Sequence, residues 1–152
     1  MSRPHPVTVP GFDALLHRRE DAEAWINAVL ATTDQVRFTL HLRVAAGRHA
    51  EAVSNELLWW SMPRSLQRLR PAHPTFSLTC SVDGEPSGPN LIPLGGDLSD
   101  TGLVAWRCGI EFAYRPDDRM AHIRLDWPAR ALSGEHTLDL TTIRRYVGAH
   151  AY

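Results

Sequence analysis

The sequence predicts an all-β fold: one domain, an antiparallel β-sandwich of about seven or eight strands with short peripheral helices. Three observations point there. Apolar residues recur with period two in several separate runs, the mark of a strand with one buried face. Turn chemistry rich in Gly, Pro, Asp and Ser separates those runs. With 43% hydrophobic and 22% charged residues in 152, the chain can close a core without metal or disulfide support. The alternative is an α+β domain with an N-terminal helix on an antiparallel sheet. Residues 1–12 read as an N-terminal extension, 13–148 as the domain and 149–152 as a tail.

From the N-terminus, "MSRPHPVTVPGF" lacks the apolar stretch of a signal peptide. Between Asp13 and Ala31, Leu15, Leu16, Trp25, Ile26, Val29 and Leu30 suit a helix by spacing, and Ala and Glu favour one by propensity. The same stretch can pair as a hairpin with the run that follows, through Thr32-Thr33-Asp34-Gln35. In that run, "QVRFTLHLRV", Val36, Phe38, Leu40, Leu42 and Val44 alternate with Arg37, Thr39, His41 and Arg43, which predicts a strand. Composition then turns helical from Glu51 up to Pro63.

"TFSLTCSV" places Phe76, Leu78, Cys80 and Val82 on one face, with Asp83-Gly84 as the next turn. Segment 84–102 is read as a long surface loop. Trp106, Cys108, Ile110, Phe112 and Tyr114 define a third strand. Pro116-Asp117-Asp118 is expected to join it as a hairpin to "HIRLDW", where Ile123, Leu125 and Trp127 point inward and His122, Arg124 and Asp126 outward. Pro128 has no N–H for a ladder and ends that strand. Past a break at Ser133-Gly134, "HTLDL" is a final strand. "TTIRRYVGAH" is a short helix capped near Thr141 or Thr142 and stopped at Gly148.

Laid out in this order, "DAEAWINAVLATTDQVRFTLHLRV", "PLGGDLSDTGLVAW", "IRLDWPARAL" and "HTLDLTTIRRYV" resemble a group of small β-rich actinobacterial proteins of unknown function, loosely and over most of 13–148. The resemblance implies that the Trp25 region is a strand paired with "VRFTLHLRV", and it favours the sandwich over the α+β alternative. "ELLWWSMPRSLQRLRP" departs from the group's pattern, which continues there in sheet. The resemblance implies no activity.

Charge bounds function. The formal net charge is -1, so no global field draws the chain to a nucleic-acid backbone or an anionic bilayer. All 16 basic residues are Arg, which removes lysine nucleophiles and Schiff bases. No apolar run reaches the roughly 18–20 residues of a membrane span. A cytoplasmic protein is expected, with no membrane or nucleic-acid partner. Cys80 and Cys108 are expected as small inward-facing core residues rather than a disulfide.

No catalytic set emerges. His122 and Asp126 share a strand face about 13–14 Å apart at ~3.4 Å per residue, too far to hydrogen-bond. No Cys-x-x-Cys or His-x-x-x-His spacing marks a metal, no Gly-x-Ser-x-Gly elbow marks a nucleophile, and "PLGGD" lacks the Lys-Ser/Thr of a phosphate loop. Neither cofactor nor metal is expected. The sharpest candidate is "LLWWSMPRSLQRLR". Adjacent Trp59 and Trp60 cannot both face one core, and an exposed Trp beside Arg64, Arg68 and Arg70 has the make-up of an interface anchor.

Two function classes follow. One is a non-catalytic interaction or accessory module that presents Trp59, Trp60, Arg64 and Arg68 to a protein partner, with a second copy of the chain as one such partner through edge-strand pairing. The other is a small-molecule-binding protein or cofactor-free enzyme, with Asp97, Asp100, His41 and His122 as polar contacts of a pocket between the sheets or under the 84–102 segment.

Overall fold

A computed structural model of the chain describes residues 5–61 and 76–150. It is mostly β: two antiparallel sheets and two helices. The larger sheet contains β1 (Val7–Thr8), β2 (Ala14–Arg18), β3 (Ala22–Ala31), β4 (Gln35–Ala45), β7 (Asn90–Leu98) and β8 (Leu103–Ala113). Its order is β1-β3-β4-β8-β7, with β2 also pairing β3. The smaller sheet, β10-β9-β5-β6, is built from β5 (Ser77–Val82), β6 (Glu85–Ser87), β9 (Met120–Trp127) and β10 (Leu132–Asp139). Inward residues of both sheets form one hydrophobic core with α1 (Ala50–Ser61) and α2 (Leu140–His150).

The period-two runs are strands, and their expected inward residues are buried: Val36, Phe38, Leu40, Leu42 and Val44 from β4; Trp106, Cys108, Ile110 and Phe112 from β8; Ile123, Leu125 and Trp127 from β9. β9 ends at Trp127, and Pro128 opens a single 3-10 turn.

The helical spacing between Asp13 and Ala31 has a different origin. Ala22, Ala24 and Ile26 face the core from β3, and then a β-bulge intervenes, with a register shift after Asn27 and Ala28 at φ 53°. One extra residue inverts the alternation, so Val29 and Ala31 are the next inward positions. Apolar residues on either side of the inversion thus fall three and four apart, and sheet pairing overrides helix propensity.

Several local expectations are corrected. Segment 84–102 is not a loop: it contains β6 and β7, because the edges of β5 and β8 accept them as partners. β8 and β9 are not a hairpin; they belong to different sheets, and the turn between them crosses the sandwich. That crossing is held by the Asp83 carboxylate, which accepts the Arg119 and Met120 amides, and by Arg144, which donates to the Arg115 and Asp118 carbonyls. Asp139, not Thr141 or Thr142, caps α2 by accepting the Thr142 amide at 3.1 Å. α2 passes through Gly148 to His150. β1 and buried Val9 belong to the sandwich although they precede residue 13.

Ser133-Gly134 is likewise no break, since β10 runs through it in register with β9. Gly134 is needed for another reason: β2 crosses there, and a Cβ on Gly134 would overlap the Leu16 carbonyl oxygen. His17 Nδ1 lies 3.0 Å from the Ser133 carbonyl at the same crossing. β2 thereby covers the flank of β10, while β7, at the other margin of the large sheet, carries Pro93 and a bulge before Gly95; covering, proline and bulges all blunt edge-to-edge pairing. Gly134→Ala should therefore lower stability by about 1–3 kcal/mol or more, read as a fall in the urea midpoint with the slope unchanged.

Candidate functional site

The sequence candidates do not assemble into one site. Trp60 packs edge-on to Phe76 and Trp106, with ring centroids 4.7 and 5.8 Å away, and Phe76 in turn packs on Trp127 at 5.2 Å. Trp60 is thus one member of a four-ring cluster bridging α1 and both sheets. Neighbouring Trp59 is half-buried on another side of α1, as adjacent helix positions require. Arg64, Arg68 and Arg70 lie outside the described residues.

Asp97 is exposed on β7, and Asp100 is exposed in the turn before β8. His41 and His122 cannot meet, because they stand on the outer faces of different sheets, on β4 and β9. His122 donates from Nε2 to Glu135 on β10 at 3.0 Å. Both side chains are substantially exposed, 40% and 56%, so the pair contributes no more than about 1 kcal/mol. Cys80 and Cys108 are free buried thiols, and burial pushes each up to about 12. Neither supplies a thiolate nucleophile near neutral pH. Among the described residues, no three His, Cys, Asp or Glu side chains converge as a metal site.

The structure instead singles out the outer face of the large sheet. The pairing register lays Leu15, Trp25, His41 and Arg107 side by side across β2, β3, β4 and β8. Trp25 and His41 stack face to face, with centroids 4.9 Å apart and planes within 4°. His41 donates from Nε2 to Asn27 Oδ1 at 2.8 Å. The hydrogen bond fixes the imidazole, and the imidazole fixes the indole, so Trp25 is held on the open face of the sheet with little rotamer freedom left to lose. Burial and then the Arg107 guanidinium hold His41 below its ordinary pKa, which keeps the ring neutral and the stack free of an imidazolium.

On the side of Trp25 away from His41, β2 and β3 enclose a shallow, open groove of about 350 Å³. Asp13, Leu15, Arg18, Glu23, Trp25 and Asn27 are among its walls. Arg18 and Glu23 form an ion pair at 3.0 Å along one rim, and Leu15 is 51% exposed opposite Trp25. Other recesses include a larger, open one of about 730 Å³ beside Arg19, Glu20, Asp21 and Ala45, which has no aromatic wall among the described residues, and two smaller ones. One, of about 220 Å³, is flanked by Glu85, Ser87, Tyr114 and Asp118; the other, of about 150 Å³, by Thr32, Arg37 and Glu111. Neither has a preset aromatic plate of this kind.

Trp25 and Asn27 were not among the sequence candidates because spacing and propensity left this stretch open between helix and strand. Parity within "AEAWIN" carries the signal: Trp25 alternates with Ala24 and Ile26, both buried, and so must point outward on a strand. Comparison with protein-family models, with curated proteins and with solved structures gives no match to this chain.

The pH dependence of stability has a defined sign. His41, and His136 on β10, titrate below the ordinary value of 6.5 in the folded chain, both mainly through burial. The unfolded state therefore binds protons first as pH falls. The stability due to these rings is fully present above 6.5 and is lost as pH drops through their folded pKa values. Chemical denaturation at a series of pH values should show stability falling below about 6.5, with a shallower fall in His41→Gln.

Proposed function

We propose that this protein is a non-catalytic recognition module that binds a partner on the open face of its large sheet and performs no bond chemistry on it. One observation carries the reading: an indole stacked, on the outer face of the large sheet, against a His ring that a hydrogen bond to Asn27 orients. A solvated sheet face has no need of such a device. Binding surfaces gain from it, because a preordered aromatic contributes contact area without the entropic cost of immobilising a side chain on association.

Trp and Arg are the residues most enriched among energetic anchors of interfaces, and this face presents Trp25 with Arg107 in the same cross-strand row. Of the two adjacent tryptophans, Trp60 is committed to the aromatic cluster and Trp59 is half-buried; the anchor of this reading is Trp25. The small-molecule reading calls for a pocket between the sheets or under the 84–102 segment; the inward faces of the sheets are filled by side chains such as Phe38, Leu40, Ile110, Ile123 and Trp127, all buried, and beside Glu85 and Ser87 lies a recess of about 220 Å³.

The test is a comparison of two tryptophans. Native mass spectra of the protein purified gently from its source cells report the bound partner, and thermal melts report the fold. Trp25→Ala should abolish partner capture with only a few degrees' change in Tm. Trp60→Ala should do the opposite, costing about 2–4 kcal/mol of stability through loss of core packing. A partner retained in full by Trp25→Ala contradicts the proposal.

A further inference from the structure

We infer that the groove beside Trp25 is a saccharide-binding site, one that takes a neutral sugar ring, either free or within a longer glycan. The inference rests on the recognition reading above and names the chemistry of what is recognised. Three features of the groove select that class. First, one of its walls is an aromatic plate, the Trp25 indole, backed by the His41 stack on one side and with exposed Leu15 as its cross-strand neighbour on the other. A flat apolar plate pairs with a ligand that also has a flat apolar face, and the axial C–H face of a pyranose is one.

Second, the rim offers hydrogen-bonding groups of both senses around that plate. Asn27 gives its Oδ1 to His41 and keeps its Nδ2 donors without a protein partner among the described residues; the Asp13 and Glu23 carboxylates accept, and Arg18 donates. Hydroxyl groups are both donors and acceptors, so a polyhydroxylated ring can satisfy all of them.

Third, charge and shape exclude the competing ligands. Arg18, the one cation among the groove's described walls, is already paired with Glu23 at 3.0 Å. No described wall cation is left free to hold a phosphate or carboxylate, and with it a nucleotide. A quaternary ammonium ligand gains most from an aromatic cage, whereas Trp25 is the one aromatic residue among the groove's walls in the described residues. At about 350 Å³ the groove lies near the small end of the range for ligand pockets, roughly 300–1,000 Å³. It is open rather than enclosed, a shape that admits one ring while the rest of a glycan runs out across the sheet.

The experiment is a set of 1H–15N titrations of the intact wild-type protein, with the Trp25 indole N–H assigned from a Trp25→Phe spectrum. The probes are glucose, maltose, cellobiose, N,N′-diacetylchitobiose, xylobiose and mannobiose, taken into the tens of millimolar because shallow single-ring sites bind weakly; glycerol is the polyol control without a ring face. Saturable shifts confined to the Trp25 indole and the amides of β2 and β3 are expected with at least one sugar and none with glycerol. Trp25→Ala should weaken that binding about tenfold or more, as loss of one aromatic contact implies, and Trp25→Tyr should restore most of it.

Sugar-induced shifts that map elsewhere, or that survive Trp25→Ala undiminished, overturn the assignment, and so does the absence of shifts across the panel. A panel without shifts, alongside a Trp25-dependent partner in the native mass spectra, removes the saccharide and leaves the recognition reading standing. If the Trp25-dependent partner is also missing, both fall.

Discussion

Antiparallel pairing of β4 with β8 runs unbroken for eleven residue pairs, from Gln35 opposite Ala113 to Ala45 opposite Leu103. Along it, Val36, Phe38, Leu40, Leu42 and Val44 meet Phe112, Ile110, Cys108, Trp106 and Val104 on one face. Each large side chain buried there contributes about 1.5–3 kcal/mol, against about 1 kcal/mol or less for an exposed ion pair such as Arg18–Glu23. A slip of one residue would turn that whole set to solvent. The register is therefore set by burial, and every other position on the sheet inherits its orientation from it: if Leu40 and Leu42 point in, His41 points out, and its partner across β3, Trp25, points out with it.

The polar face consequently has a defined arrangement without being built by strong polar forces. Hydrogen bonds and ion pairs there adjust a geometry that the core has already imposed. The bulge at Ala28 shows the same logic, since it inverts parity halfway along β3 and lets Val29 and Ala31 remain buried beside β1. Just before it, Asn27 faces outward next to His41, close enough for the 2.8 Å hydrogen bond that orients the ring. Low charge on His41, a fixed indole and an adjoining groove thus follow from one register and one bulge.

The sequence made the inward face legible and the outward face much less so. Strict alternation in "QVRFTLHLRV" and "HIRLDW" exposed the core positions of β4 and β9 directly. β7 was hidden because "NLIPLGGDL" has turn composition and gains its structure only by pairing with β8. The β8–β9 connection was hidden because a turn sequence does not say whether the chain returns to its own sheet or crosses to the other. The placement of Trp60 and Trp25 was hidden for a similar reason. Paired tryptophans beside arginines look like a surface anchor, yet the aromatic cluster of Phe76, Trp106 and Trp127 receives Trp60, while Trp25, in an apolar-looking stretch, is placed on the outside by parity.

The outward placement of Trp25 is the central claim, and it can be read without any ligand. Two-dimensional NOE spectra of the folded protein should show contacts between the Trp25 indole and the His41 ring, and separately between Trp127 and Phe76, with no contact from Trp25 to the Leu40 or Ile110 methyls. NOEs from Trp25 into those core methyls would place it inside the sandwich, contradict the register of β3 on β4, and remove the proposed binding face with it.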